Sequence, residues 1–171
     1  VNLGVRKTGL TGDKAFDTVA ASLKTIKYTY ADNGDDVLGK LKTDISTLVD
    51  KYEANKSVNY TMNDLGFNSS SDFAKKFVNS TYLKKVMNGE HTVSNSKTVK
   101  VAVISGDIHQ IALHYGIELG YFADYGLTVE LSAQSNGAGV AVALQNGDSN
   151  FGLLGAPPLT ITTINGKLVK G

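Results

Sequence analysis

The sequence predicts an α/β fold with a mostly parallel sheet flanked by helices, and three observations carry that prediction. Residues 99–171 alternate short β-branched or apolar runs with helical stretches. Residues 13–87 carry apolar side chains at 3- and 4-residue steps. The strand-like runs end on small or polar residues that lead into the next stretch. Repeated strand-turn-helix units need crossover connections, and crossovers produce parallel, right-handed pairing.

The elements follow in chain order. Val1–Val5 is a short β-like stretch that reads as a strand added to the sheet. Phe16, Val19, Ala20, Leu23, Ile26 and Tyr30 form the stripe of a first helix, which Asn33-Gly34 ends with residues suited to left-handed backbone. Val37, Leu38, Leu41, Ile45, Leu48, Val49 and Tyr52 share one face of a second helix. A third starts at the Ser69–Ser71 cap cluster and carries Phe73, Phe77, Tyr82, Val86 and Met87 up to Asn88-Gly89. These stripes read as core rather than as cofactor contacts.

Residues 88–98 are polar and aperiodic and read as a linker. Beyond it, Val99–Ser105, Thr128–Ala133 and Phe151–Leu154 read as strands, and Lys167–Lys170 as the start of a fourth. Ile108–Leu119, Gly139–Gln145 and Leu159–Ile164 read as helices. The expected organisation is a single lobe over 1–171, built from a strand-plus-helical segment at 1–87, the linker at 88–98 and a βαβαβ segment at 99–171.

Composition narrows the function classes. With 42% hydrophobic and 19% charged residues and a net charge of +1, the chain has the profile of an ordinary globular domain. Its lysines are interspersed with acidic residues, which excludes a phosphate-tracking basic stripe and predicts no nucleic-acid partner. No apolar run approaches the ~18 residues of a membrane span. The chain starts at Val1 with no charged start and apolar signal core, so it reads as a mature form or an excised piece. Cysteine is absent, which removes disulfides, thiolate metal sites and cysteine nucleophiles. Four glycosylation-type sequons, at Asn55, Asn59, Asn68 and Asn79, accompany a Ser-, Thr- and Asn-rich composition of the kind often seen in exported chains.

The candidate binding residues are the strand ends. Ser105-Gly106-Asp107, Gln134-Ser135-Asn136-Gly137 and Gly155-Ala156-Pro157 are small or polar, and ligands of parallel sheets sit beyond the carboxyl ends of the strands. Helix starts there point unpaired amides and the helix dipole at an anion or polar group; the same residues also serve as ordinary tight βα turns.

Sharper motifs fail. Gly137-Ala-Gly139 follows a strand and opens a helix, but Val142 stands where a dinucleotide fingerprint needs Gly or Ala, and no acidic residue follows about 20 positions on. Gly166-Lys167 lacks the rest of a phosphate-binding loop. His114 and Glu118 at i, i+4, and Asp107 with His109, fall short of the three or four convergent ligands of a zinc site, so no metal and no cofactor are expected. Ser105 with His109 is the nearest approach to a nucleophile and base, without a Gly-x-Ser-x-Gly elbow. No catalytic residue is assigned, and the chain does not read as an enzyme.

From Lys97 onward the sequence resembles the nitrate, sulfonate, taurine and thiamine-precursor group of ABC-transporter solute-binding proteins. Val99-Lys-Val-Ala-Val resembles the first strand of the family. Gly120-Tyr-Phe-Ala-Asp-Tyr-Gly-Leu-Thr-Val-Glu resembles its signature, in which Gly120 and Gly126 bracket a turn while Tyr121, Phe122 and Leu127 pack onto the sheet. Asn136-Gly137 with Leu144-Gln-Asn-Gly-Asp, and Phe151-Gly-Leu-Leu-Gly-Ala-Pro-Pro158, resemble the following stretches in the same order. The first half, through Asp72-Phe-Ala-Lys-Lys-Phe-Val78 and Tyr82-Leu83, resembles the carboxyl-terminal part of the family. Tail before head fits a cut from tandem copies or a circular permutation.

The resemblance implies one lobe of a type II periplasmic-binding-protein-like fold. It implies ligand contacts at Ser105, Gly106, Asp107, His109, Ser135, Asn136, Gly137, Gly155, Ala156 and Pro157. It further implies an extracytoplasmic, membrane-associated location, a small polar or anionic solute, an ABC permease as partner of the parent protein, and self-association as a means of completing the cleft. Two alternatives stand beside it. One is a ligand-free structural or interaction module. The other is a pyrimidine-precursor synthase of the same fold, whose activity is associated with a cysteine-rich motif that this chain lacks.

Overall fold

The computed structural model describes residues 1–26, 34–90, 92–93 and 95–166. The chain divides into two compact units, Val1–Tyr28 with Thr92–Leu154 and Thr29–His91 with Gly155–Gly171. The expected segments 1–87 and 99–171 are therefore each cut by the unit boundaries. The stripe residue Tyr30, the stop at Asn33 and the strand expected at Lys167–Lys170 lie outside the described residues, as does His91 in the expected linker.

The first unit holds the sheet. Strands β1 (Lys97–Ile104), β2 (Leu127–Gln134) and β3 (Phe151–Gly152) form a parallel three-stranded sheet in the order β2-β1-β3. Lys97 pairs with Leu127 and Ile104 with Gln134, while Val101 and Ala102 pair with Phe151 and Gly152. The α/β class and the parallel sheet are as the sequence predicts. The central strand β1 buries Val101, Ala102 and Val103 in succession, the continuous apolar run expected of a parallel strand covered on both faces. Helix α8 (Gly137–Gln145) lays Val140 and Ala143 on Ala102, with Ile104, Leu144 and Leu154 packed around them.

The opening segment departs from expectation. Asn2–Thr8 is a helix, α1, rather than a strand. Five residues are too few to distinguish the two periods, and here Leu3 and Gly4 are the buried residues. Gly4 lies so close to helix α2 (Ala15–Thr25) that a Cβ on it would stand 2.6 Å from Val19 Cγ1 and 3.0 Å from Ile108 Cδ1. The Thr8 hydroxyl donates back to the Gly4 carbonyl at 2.9 Å, and Gly9 ends the turn at φ 69°.

After β1 a 3-10 turn (Ile108–Gln110) runs into α6 (Ile111–Glu118), and the short helix α7 (Tyr121–Asp124) precedes β2. Gly120 and Gly126 do bracket α7, both at positive φ. Phe122 packs over Gly116, where a Cβ would meet its ring at 3.0 Å. Tyr121, expected to pack with it, is 57% exposed.

The second unit is helical. Its core joins Ile45 and Val49 of α3 (Gly34–Ala54), Met62, Leu65 and Phe67 of the following loop, Phe73 and Ala74 of α4 (Ser70–Phe77) and Ile164 of α9 (Ala156–Asn165). Phe73 is fully buried, meeting Phe67 edge-on at 5.3 Å and stacking on Phe77 at 5.2 Å. Ser69 caps α4 by accepting from the Asp72 N–H at 3.1 Å, as the cap cluster predicts. The single helix expected through Met87 is broken into α4 and α5 (Thr81–Met87). Asn79 Oδ1 accepts from the Thr81 N–H at 2.9 Å, so the Asn-Ser-Thr run offers the backbone a local turn in place of the helix ladder. Tyr82, Val86 and Met87, read as core, are exposed in consequence.

Candidate ligand-binding site

The carboxyl ends of β1 and β2 lie side by side, since Ser105 continues the ladder by donating its N–H to the Gln134 carbonyl at 2.8 Å. The first unit thus brings Ser105, Gly106, Asp107 and His109 together with Ser135, Asn136 and Gly137 along one sheet edge. Gly155, Ala156 and Pro157 belong to the second unit, where Gly155 is the extended N-cap of α9 and the prolines occupy its first turn.

At the β1 end the chain turns on Gly106 at φ 76°, where a Cβ would lie 3.3 Å from the Thr8 carbonyl oxygen. Positive φ and that close backbone approach together require glycine. Asp107 then caps the 3-10 turn. Its Oδ1 accepts from the His109 N–H at 2.9 Å and stands 2.9 Å from His109 Nδ1, and its Oδ2 accepts from Gln110 Nε2 at 3.3 Å. Asp107 is three-quarters buried at its side chain, while the His109 ring is 74% exposed.

At the β2 end Asn136 is extended and its Oδ1 accepts from the Gly139 N–H at 3.0 Å, the capping bond that starts α8. The side chain that sets the turn is therefore engaged with the helix, and what the turn offers outward is backbone at Ser135–Gly137. Ser135 and Asn136 are exposed. Gly139 sits against Gln134, whose Oε1 would be 3.3 Å from a Cβ there.

Sequence reasoning misses Gln110. It is 5% exposed and makes three side-chain bonds: Oε1 accepts from the Ile104 N–H at 3.0 Å, and Nε2 donates to the Leu153 carbonyl at 3.0 Å as well as to Asp107. One amide thereby ties together the end of β1, the 3-10 turn and the segment that leaves β3. A polar residue inside the apolar stretch Ile108–Leu119 is the only signal that could have marked it.

Of the residues weighed for metal or acid–base chemistry, Asp107 and His109 are in contact. Arg6 pairs with Glu118 Oε1 at 2.6 Å. His114 Nδ1 is buried with no hydrogen-bond partner, and burial, assisted by the charge of Lys7, holds the ring below the ordinary histidine value of 6.5. Among the described residues no group of three or more His, Asp or Glu is placed to hold a metal ion, and no helix is long and apolar enough to cross a membrane.

Residues 108–171 match the family described as NMT1/THI5 like. That family consists mostly of binding proteins and includes the THI5-type synthases. The matched stretch starts within the 3-10 turn and runs through α6, α7, β2, α8, β3 and α9, so it covers Ser135–Gly137 and Gly155–Pro157 and leaves Ser105–Asp107 outside. No curated protein and no solved structure matches the chain.

Proposed function

From the NMT1/THI5-like character of residues 108–171, we propose that the chain is the solute-binding component, or an excised part of one, of an extracytoplasmic receptor serving an ABC importer. The solute is small and polar or anionic, and it is held by backbone amides and hydroxyls at the strand ends: Ser105, Gly106, Asp107 and His109 on one turn, Ser135, Asn136 and Gly137 on the next. Gly155, Ala156 and Pro157, at the start of α9 in the second unit, are further ligand contacts by the family resemblance, and an ABC permease is the partner of the parent protein. Self-association supplies the opposite wall of the cleft.

The observation that carries the reading is the family match over residues 108–171, which takes in the preorganised turn at the carboxyl end of β2; the turn beside it, at the end of β1, is preorganised as well. One is capped by Asp107 and the other by Asn136. Fixed dipoles of this kind bind without the cost of ordering the loop.

Thermal unfolding against nitrate, taurine, bicarbonate and pyrimidine precursors tests it. A solute at about 100 times its dissociation constant adds roughly 2.7 kcal/mol of stability. Asn136→Asp sorts the class, since Asp caps a helix as well as Asn does but adds negative charge. It is expected to keep the stability of the free chain and to abolish the shift given by an anion. A chain that no solute stabilises argues against the reading.

A further inference from the structure

Strand β2 lies at the edge of the sheet, and among the described residues no strand pairs with its outer side. Gly126 and Gln134 both give their carbonyls to β1, at the Lys97 and Ser105 N–H groups. Backbone groups of successive strand residues point to alternate sides, so Leu127, Val129, Leu131 and Ala133 turn their N–H and C=O groups outward. An open row of this kind is a template for another strand, and folded chains usually blunt it with lysine, proline or a bulge. This edge carries none of these. Its eight residues run Leu-Thr-Val-Glu-Leu-Ser-Ala-Gln and match β1 position for position, and Leu131 stands 37% exposed on it.

We propose that a second copy of this chain adds its β2 antiparallel to that edge, about a twofold axis at Leu131. An axis normal to the sheet keeps every side chain on its own face, so it passes through one residue and its counterpart. Axes at Glu130 and at Leu131 overlap the two strands most fully. The first sets Glu130 against the second copy's Glu130, like charges directly opposed. The second sets Leu131 on Leu131 and Val129 on Ala133 on one face, with Glu130 on Ser132 and Thr128 on Gln134 on the other. Apolar groups then meet apolar ones and polar groups polar ones, while the outward N–H and C=O groups of Val129, Leu131 and Ala133 exchange bonds. The strand is complementary to itself in one register, as an interface between identical copies requires.

The inference goes beyond the binding reading and does not rest on it. Antiparallel pairing sends the two carboxyl ends of β2 to opposite ends of the joint sheet, so each copy keeps its own turn at Ser135–Gly137. Self-association that supplies a cleft wall is then a contact at a different surface.

The chain has no cysteine, so single-cysteine variants of the full chain report the register without background. Opposed residues of a hydrogen-bonded pair lie about 5.5 Å apart at Cα, within disulfide reach, whereas diagonal neighbours lie about 7–8 Å apart. Under mild oxidation Leu131→Cys is expected to form a linked dimer at least about tenfold faster than Val129→Cys or Glu130→Cys. Sedimentation of the wild-type chain is expected to show a mass rising with concentration toward twice that of the chain. Leu131→Lys brings two ammonium groups together at the axis and is expected to weaken that association at least about tenfold, with the chain still folded by circular dichroism. A wild-type chain that stays monomeric as its concentration rises overturns the inference. So does a dimer that Leu131→Lys leaves intact, or cross-linking no faster at position 131 than at 129 or 130. Where Leu131→Lys unfolds, the cross-linking rates decide. Solute titration of the same samples reads the binding claim separately.

Discussion

Gln110 gives the strand-end turn its rigidity. Replacing it with leucine keeps its bulk but leaves the Ile104 N–H and the Leu153 carbonyl without their part-buried partner, a loss of about 0.5–1.5 kcal/mol. Urea unfolding of Gln110→Leu is expected to show a loss of that size, with slower and weaker solute capture following from a loosened turn. His114 makes a second prediction at this scale. Its folded-state value is depressed, so the unfolded chain binds the proton more readily. The stability it contributes is present above the ordinary value of 6.5 and is lost as pH falls through the lower folded value. Melting temperature is expected to drop on acidification below about pH 6.5, and His114→Leu to flatten that drop. These residues also mark the limit of sequence reading. Asp107, Asn136 and Gly106 are legible because caps and positive-φ turns have residue signatures. The role of Gln110 is not, because its partners, Ile104 and Leu153, are set by the sheet and not by spacing along the chain.

At the scale of elements, β3 depends on Gly152. A Cβ there would stand 2.7 Å from Val140 Cγ1 and 2.8 Å from Leu144 Cδ1, so α8 rests directly on the strand backbone. Gly152→Ala is expected to cost about 1–3 kcal/mol through overpacking, measured by chemical denaturation, with amide exchange accelerated first in β3 and α8. Elements with a long, single-period pattern were readable: β1, β2, α3, α6 and α8 fall where β-branched runs or apolar stripes predict them. The misreadings share one cause, competition between local signals. At Val1–Val5 an alternating apolar run sits inside a helix that buries Leu3 and Gly4. At Val78–Ser80 the apolar stripe resumes beyond the break, while Asn79 accepts from the Thr81 N–H and turns the chain between α4 and α5.

In the whole molecule the two units rest on separate cores, one built on Ala102, Val140 and Ala143 and the other on Phe73 and its neighbours. Phe73→Ala removes a fully buried ring with two aromatic partners and is expected to cost about 3–5 kcal/mol. Loss of amide-exchange protection in α3, α4 and α9 would register it, and retained protection there would contradict the core described. Fold class was legible because strand-helix alternation survives in residues 99–166. The exchange of segments between units was not, because it is a property of tertiary contacts that no local pattern records. The central claim, solute binding at the strand ends, is tested most directly by mapping amide resonances of the full chain during titration with a solute that raises its melting temperature. The account predicts saturable shifts concentrated at Ser105–Gln110 and Ser135–Gly139. Saturable shifts confined to other residues would contradict it.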